Sequence, residues 1–371
     1  MKHKIGLLIT LGLILVVALW NPCLVQASSE LSILDYSAEI DFPAKIIFEV
    51  SARSDVDIDD IRLHYRINRT ELARITSEVY IEFTPSKTVS IDWVWDMRKT
   101  GGLPPGSSLY YWWTVTDADG DSVQTPPVEM LVSDKRYDWQ ELTEGEITLY
   151  WYKGDDSFSG ELMAAAQEAL ARLYVETGAE LEKPVSIYIY ASSADLQGSM
   201  IFPQEWTGGV AFTRYGIITI GIGTSSGDME WGKRAIAHEL THLVIHQITL
   251  NPYNDLPVWL DEGLAMNTEG ELLWYFMDEL NKARENGTFF SVRSLASPFP
   301  TDTNEALLSY AQSYELVKFL IDEYGQEKMF ELLSTFREGA GYDEALNRVY
   351  NFDMDGLDAR WRAAFEAMVI L

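Results

Sequence analysis

The sequence predicts an α+β protein whose N-terminal part contains only strands and whose C-terminal half is mostly helical. Between residues 30 and 133, short apolar segments alternate with turns rich in Gly, Pro and Asp. From residue 147 onwards, strand and helix patterns follow one another, and beyond residue 226 apolar residues recur mainly at helical spacing. Strands followed by helices are typical of α+β architectures.

Composition limits the classes of function that fit this chain. Its 371 residues are enough for two domains, each with its own core. A hydrophobic fraction of 47% and a charged fraction of 23% are those of a globular protein. The net charge of -29 disfavours nucleic acid and anionic lipid surfaces as partners, because both are negatively charged.

The N-terminal segment has the pattern of a secretory signal. Lys2 and Lys4 precede an apolar run at residues 5–20, and small residues around Ala27 suit a signal peptidase. We therefore predict that residues 1–27 are a signal peptide and that the mature protein is secreted or held in the cell envelope. An uncleaved membrane anchor is the alternative, and sixteen apolar residues are short for it.

Cysteine usage agrees with export from a bacterial cell. Cys23 is the only cysteine and lies inside the predicted signal, so the mature chain would contain none. Export without disulfides is more typical of a bacterial or archaeal envelope protein than of a small eukaryotic secreted domain.

Residues 28–134 are predicted to form a β-sandwich of immunoglobulin-like or fibronectin-like type, in which regular short strands are separated by turns. The Asp-rich segment 117–121 is interpreted as a hairpin turn, because it lacks a complete calcium-binding loop. A cell-envelope partner is expected for this domain. Its predicted strands are residues 47–50, 61–67, 78–83, 89–95, 109–115 and 128–132.

Residues 135–146 have no sustained period and are predicted to be a linker. The second domain is then residues 147–371. A predicted helix from residue 159 to residue 177 ends at Gly178, a residue suited to a helix C-terminus. The strands predicted for this domain are residues 147–152, 185–190, 209–212 and 216–221.

Residues 236–247, "IAHELTHLVIHQ", hold three of the five histidines. Apolar residues at helical spacing, including Ile236 and Leu240, predict a helix with one buried side, and Gly227 with Asp228 resembles its start. On a helix, residues four apart are rotated by about 400°, which places His238 and His242 on one face.

Two imidazoles on one face can bind a single ion, and Glu239 lies beside them. This is the H-E-x-x-H pattern of zinc hydrolases. Zinc lowers the pKa of water to about 7, and a nearby carboxylate can take the proton as the carbonyl is attacked. We interpret His238 and His242 as zinc ligands and Glu239 as the general base. A helix with buried, hydrogen-bonded histidines is the alternative.

His246 does not fit as a third ligand. It lies eight residues beyond His238, about 12 Å along a straight helix, so one ion cannot reach all three imidazoles. We interpret His246 as a residue that supports the ligands or belongs to the core. A catalytic zinc needs one more protein ligand, and the next predicted helix, which starts near Pro257, offers Asp261, Glu262 and Glu269.

The two motifs together resemble a known family. H-E-L-T-H at 238–242, followed by W-L-D-E-G-L-A at 259–265, is similar to the gluzincin zinc peptidases of the peptidase MA clan. The segment from 147 to the C-terminus thus resembles thermolysin-like and aminopeptidase N-like catalytic domains, and especially bacterial peptidase MA-like domains. The resemblance implies one zinc ion per chain, with Glu262 as the third ligand.

Tyr310, in the segment Y-A-Q-S that opens a predicted helix, resembles the tyrosine that stabilises the oxyanion in that family. Tyr314, one turn later, is its competitor. Asp261 stands where relatives have Asn. Met266 stands where thermolysin-type enzymes carry a carboxylate that orients a histidine, so that support must come from elsewhere.

These observations predict an exported zinc metallopeptidase acting on peptides or proteins. The aminopeptidase G-x-M-E-N strand is not evident, and the corresponding segment 208–212 carries no acid, so we expect an endopeptidase. Two alternatives stay open. One is a non-catalytic envelope protein with a structural metal site, in which the β-sandwich binds the partner. The other is a hydrolase of non-peptide amides.

Overall fold

The computed structural model describes residues 30–70, 72–204 and 207–367. The chain is a mixed α+β protein, as predicted, with an N-terminal antiparallel sheet and a helical C-terminal half. The predicted signal peptide, residues 1–27, lies outside the described residues. Within the described ranges, every helix is too short or too polar to cross a lipid bilayer.

The N-terminal sheet has seven strands, and every pairing between them is antiparallel. Successive side chains point to opposite faces of a strand, and the apolar residues are concentrated on one of these faces. The strands are β1 (Ser32–Asp41), β2 (Lys45–Asn68), β3 (Ser77–Tyr80), β4 (Ser86–Asp96), β5 (Ser108–Asp117), β6 (Ser122–Gln124) and β7 (Val128–Leu131).

The strands predicted at 47–50 and 61–67 are two parts of β2. The first half of β2 pairs with β1 and β4 and the second half with β3 and β5, with a register shift between Arg53 and Ile58. The polar stretch between the two halves looks like a turn in the sequence, but a shift in register lets the strand continue through it. An immunoglobulin-like arrangement of these strands remains a prediction.

The Asp-rich segment is a hairpin turn, as predicted. Asp117 accepts the backbone N–H groups of Asp119 at 3.2 Å and Asp121 at 3.1 Å, and the hydroxyl of Ser54 at 2.7 Å. The carboxylate of Asp117 is thus engaged within the turn. Strands β1 and β6 were not among the predicted strands.

The second sheet has five strands in the order β11-β12-β10-β9-β8. Its three central strands are parallel, and each edge strand is antiparallel to its neighbour. The strands are β8 (Gln140–Glu144), β9 (Ile147–Trp151), β10 (Val185–Tyr190), β11 (Gly209–Phe212) and β12 (Ile217–Gly221).

The predicted linker, residues 135–146, is part of this sheet. It contains β8, which pairs with β9. Trp139 makes edge contacts with Tyr152, Tyr188 and Tyr190 at centroid distances of 5.2 Å. The segment lacks a clear period because its order comes from this aromatic packing, which no local pattern reveals.

Helices cover one face of the second sheet. The buried residues of α1 and of the first part of α3 form a core with this face, and the later helices form a second core around α4. The helices are α1 (Asp156–Thr177), α2 (Ser193–Gln197), α3 (Ser226–Ile248), α4 (Val258–Glu269), α5 (Trp274–Asn286), α6 (Val292–Leu295), α7 (Thr303–Arg337), α8 (Tyr342–Tyr350) and α9 (Met354–Ala367).

Three predicted helix starts differ from the structure. α1 begins at Asp156, three residues before the predicted start at residue 159. Ser225, rather than Gly227 or Asp228, caps α3: its hydroxyl accepts the N–H of Asp228 at 3.2 Å. Tyr310 lies inside α7, which begins at Thr303, instead of opening a helix. The sequence carries a signal for this start that the prediction missed: Asp302 caps α7, and Glu305 follows three residues later in the first turn.

Candidate metal centre

Helices α3 and α4 carry the candidate ligands. Both helices are held in place by apolar residues that pack into the two cores. Leu240 and Leu243 of α3 pack against the second sheet, while Val244 joins Trp259 and Leu260 of α4 in the helical core. This anchoring leaves His238, Glu239, His242 and Glu262 partly buried between the helices and the edge strand β11.

Gly263 brings α7 close to α4. A Cβ atom at this position would collide with the backbone oxygen of Ser313 and would lie 2.6 Å from the side chain of Val317. The glycine next to Glu262 therefore permits the helix contact that holds α7, and with it Tyr310, beside the site.

We expect Gly263→Ala to destabilise the protein by about 1–3 kcal/mol, the usual cost of overpacking a filled contact. Gly227→Ala on α3 is the matched control, because its Cβ would meet nothing within 4 Å. The control should raise stability slightly, since alanine has the higher helix propensity. Denaturant unfolding of both variants measures the difference, and equal stabilities would show that the α4–α7 contact is not tight.

Three ligand atoms converge at the centre. The Nε2 atoms of His238 and His242 are 3.1 Å apart, and Oε2 of Glu262 lies 3.4 Å from the first and 3.6 Å from the second. A point equidistant from all three atoms is about 2.0 Å from each, which is the usual length of a zinc bond to nitrogen or oxygen. Oε2 of Glu262 is buried and accepts no hydrogen bond from the described residues. These residues therefore fit a divalent metal ion.

Each histidine is oriented by a carboxylate on its other ring nitrogen. Nδ1 of His238 lies 2.7 Å from Oε1 of Glu269, and Nδ1 of His242 lies 3.0 Å from Oδ1 of Asp261. A hydrogen bond from Nδ1–H to a carboxylate fixes the tautomer in which Nε2 is available to a metal. Both imidazoles thus present Nε2 to the same point.

The supporting carboxylates are themselves held in place. Glu269 pairs with Arg234 at 3.0 Å, one helical turn before His238. Asp261 lies 3.0 Å from Nε2 of His246. This places His246 behind His242, away from the three converging atoms, in the supporting role that the spacing indicated. The support that Met266 cannot give comes from Glu269 and Asp261, which the sequence offered only as candidates for the third ligand.

The charges at the centre favour protonated histidines. Burial disfavours the His242 imidazolium, but the carboxylates of Asp261 and Glu262 outweigh it and raise its pKa to about 9. The pKa of His238 is also raised, because Glu262 and Glu269 outweigh the effect of burial. Asp261 shows the reverse: burial opposes its ionisation, yet His242 and His246 hold its pKa well below the usual range. Four carboxylates around the two histidines thus attract cations strongly.

Metal affinity should therefore rise with pH. A folded-state pKa of about 9 for His242 means that its imidazole is protonated at pH 7 and must lose a proton to bind a metal. Between pH 6 and 9, the apparent zinc affinity should increase about tenfold per pH unit for each displaced proton. Competition with a chelator whose own protonation is known gives the slope. An affinity independent of pH would contradict the charge arrangement.

Glu239 lies between the ligands and β11. A Cβ atom on Gly209 would come within 2.9 Å of Oε1 of Glu239, so the glycine makes room for this carboxylate. Burial raises the pKa of Glu239, opposed by His238 and His242 and by a hydrogen bond from the backbone N–H of Ala211. A carboxylate with a raised pKa, beside the metal ligands and outside their set, has the properties of a general base.

Of the two candidate tyrosines, Tyr310 is the one on which the charges of the centre act. Its pKa is raised mainly by burial, and further by the negative charges of Glu262, Glu239 and Glu269. Its ring is held edge-on by Phe299 at a centroid distance of 5.0 Å. The pKa of Tyr314 is raised by burial too, but the charges that act on it lie outside this centre.

Residues 165–367 match the Peptidase MA superfamily, which is more than half of the chain. The chain belongs to this superfamily. The matched residues form a domain of the peptidase type, and zinc is the metal typical of such a ligand set. The resemblance seen in the two sequence motifs is thereby confirmed.

Comparison with individual proteins gives only distant similarity. No curated protein matches the chain. A two-domain M1 zinc metallopeptidase bound to L-arginine is 10% identical, with a TM-score of 0.36 over 89% of this chain and 94% of that one. Legionella pneumophila aminopeptidase A is 11% identical, with a TM-score of 0.40 over 89% and 50%. OgpA from Akkermansia muciniphila is 10% identical, with a TM-score of 0.22 over 29% and 28%, so this chain spans less than a third of it.

Proposed function

We propose that this metallopeptidase is an exported endopeptidase that holds one zinc ion with His238, His242 and Glu262. The convergence of three ligand atoms, with Glu239 beside them, carries the proposal. Each histidine has its second nitrogen occupied by a carboxylate, so the ligand atoms are set before a metal arrives.

Zinc, when bound there, polarises the scissile carbonyl and lowers the pKa of water to about 7. Glu239 takes the proton of the water that attacks this carbonyl and passes it to the leaving amine. Burial supports this role, because it raises the pKa of Glu239 towards neutrality and makes the carboxylate a better proton acceptor.

Tyr310 is the proposed donor to the oxyanion that forms during the attack. A phenol is protonated at neutral pH, and burial raises the pKa of Tyr310 further, so its hydroxyl is available as a donor. A donor fixed before the reaction stabilises developing charge without reorganisation.

We expect Tyr310→Phe to lower kcat by about 10²-fold, the usual cost of losing one oxyanion donor. The matched control is Tyr314→Phe, four residues later on α7, which should stay within about twofold of wild type. Steady-state kinetics on one peptide substrate compares the two variants. If Tyr314→Phe showed the larger loss of kcat, the assignment would pass to Tyr314.

The substrate is proposed to lie along β11. This strand is at one edge of the second sheet, and Glu239 lies against it. An edge strand offers unpaired backbone groups, to which an extended peptide can add as a further strand. Such binding is independent of side chains and places the peptide backbone beside the base.

Endopeptidase activity is favoured by the absence of an amine anchor on β11. The sequence of the strand, G-V-A-F, contains no carboxylate that could hold a free N-terminus. A pair of fluorogenic substrates tests this: a peptide blocked at both ends, and an aminoacyl amide with a free amine. Cleavage of the blocked peptide supports the proposal, and exclusive cleavage of the aminoacyl amide would overturn it.

Export and an envelope partner for the N-terminal sheet are parts of the same proposal. They rest on the predicted signal peptide, residues 1–27. Mass determination of the N-terminus of protein recovered outside the cytoplasm tests export, and a mature chain beginning at Ser28 is the expected result.

A further inference from the structure

A cavity of about 200 Å³ lies where loops of the N-terminal domain meet the second sheet, beside β11. Leu103 and Pro104 of the N-terminal domain form one wall. Met200 and Ile201, from the segment before β11, form another wall. Val210 and Phe212 of β11, with Thr219 of β12, also line the cavity. Both domains therefore build the cavity, and residues of the proposed substrate-binding strand line it.

The two faces of β11 have different neighbours. Gly209 approaches Glu239 and Ala211 packs into the core shared with α3, so these alternate residues face the metal centre. Val210 and Phe212 point the other way, into the cavity. Since successive residues of a strand alternate between faces, the cavity lies across β11 from the general base.

We infer that this cavity is a specificity subsite that takes one apolar side chain of the peptide substrate. The inference rests on the proposed function. A peptide paired with β11 continues the sheet, so its side chains alternate between the same two faces. The peptide side chains on the same face as Val210 point to the cavity, and the alternate side chains point to the metal centre. The N-terminal domain thereby takes part in selecting the substrate.

The lining defines the side chain that fits. It is mainly Pro, Leu, Ile, Met, Val and Phe, and it contains no charged residue. Apolar cavities of about 150 Å³ accept a benzene ring, so this cavity has room for an aromatic or a large aliphatic side chain. An acidic side chain would lose its hydration there without gaining a partner, and is excluded.

Two further features mark the cavity as a binding site. The hydroxyl of Thr219, on the buried wall, has no hydrogen-bond partner among the described residues, although buried hydroxyls normally have one. Phe202, between two lining residues, has a φ of 51° and leaves 80% of its surface exposed. Backbone strain of this kind in a bulky residue is concentrated at functional sites. The segment thus holds an aromatic ring in solvent beside the cavity.

The test uses the full chain loaded with zinc and blocked, internally quenched peptides in which one position at a time is Leu, Phe, Ala or Asp. We expect kcat/KM to be at least about tenfold higher for Leu or Phe than for Asp at alternate positions, and nearly flat at the positions between. Ile201→Asp should reduce that ratio to near one. Leu34→Asp, at an exposed site on β1, is the matched control and should keep the wild-type ratio.

A second variant keeps the inference testable if Ile201→Asp does not fold. Val210→Phe fills the cavity from β11 and should shift the preference from Phe to Ala at the same position. If both variants still cleave peptides with the wild-type ratio of kcat/KM for Leu or Phe over Asp, the subsite proposal is wrong. Failure of the wild-type enzyme to cleave any blocked peptide would count against the proposed function. Peptide binding to zinc-loaded Glu239→Gln, measured by fluorescence anisotropy, then decides on the subsite separately: the same preference for Leu or Phe supports it, and no preference rejects it.

Discussion

Replacing Glu239 with Gln is expected to lower kcat/KM for a peptide by about 10³- to 10⁴-fold, with zinc content unchanged. Glutamine keeps the shape of the side chain and can still accept the N–H of Ala211 through its amide oxygen. It cannot take a proton from water. Because Glu239 lies outside the set of converging ligand atoms, its replacement should leave metal binding intact.

The measurement combines single-turnover kinetics with metal analysis by plasma mass spectrometry on the same samples. Glu315→Gln is a suitable control, since burial also raises the pKa of Glu315 but its neighbours are Lys318 and Asp322, away from the centre. That variant should keep its activity. A Glu239→Gln enzyme with full zinc and activity within tenfold of wild type would refute the role of Glu239 as base.

The convergence of the two candidate histidine ligands could be predicted because it depends only on local helix geometry. His238 and His242 are placed by helix periodicity alone, and both lie on α3 with Nε2 atoms 3.1 Å apart. Glu262 needed the resemblance, because nothing local distinguishes it from Asp261 beside it. The packing of α4 against α3 decides which of the two carboxylates reaches the ligand atoms, and that packing depends on residues far apart in the chain.

The residues that support the candidate ligands could not be predicted, because their positions also depend on the packing of α4 against α3. Glu269 reaches His238 from the far end of α4, across 31 positions of sequence. Arg234, which pairs with Glu269, lies on α3 one helical turn before His238. A signal was present, since Glu269 follows Glu262 by seven residues, or two helical turns, and so lies on the same face of α4. The choice of partner still required the crossing of the two helices.

The strand errors have a different physical origin. β2 was divided because its polar middle reads as a turn, whereas pairing with β1, β4 and β5 on both sides holds it as one strand. β8 was missed because its order comes from pairing with β9 and from the aromatic residues near Trp139. In both cases, tertiary pairing overrides a weak local preference.

Removal of Glu262, the proposed third ligand, should have the other large effect. Structural zinc sites bind with about 10–16 kcal/mol in total, so the loss of one protein ligand should weaken zinc binding by several kcal/mol, about 10³-fold. We therefore expect Glu262→Ala to lose zinc during dialysis against a weak chelator, and its activity with it. Glu271→Ala, just beyond α4, should retain both.

Variants of the supporting carboxylates show whether zinc is lost because a ligand is missing or because negative charge is reduced. Asp261→Asn and Glu269→Gln each remove one charge near the histidines but leave the three ligand atoms in place. Such partners usually contribute 10- to 100-fold to metal affinity, so each variant should fall between wild type and Glu262→Ala. If Asp261→Asn weakened zinc binding as much as Glu262→Ala, Asp261 would share in ligation. The second cluster of His242, His246 and Asp261 would then have to be considered part of the metal site.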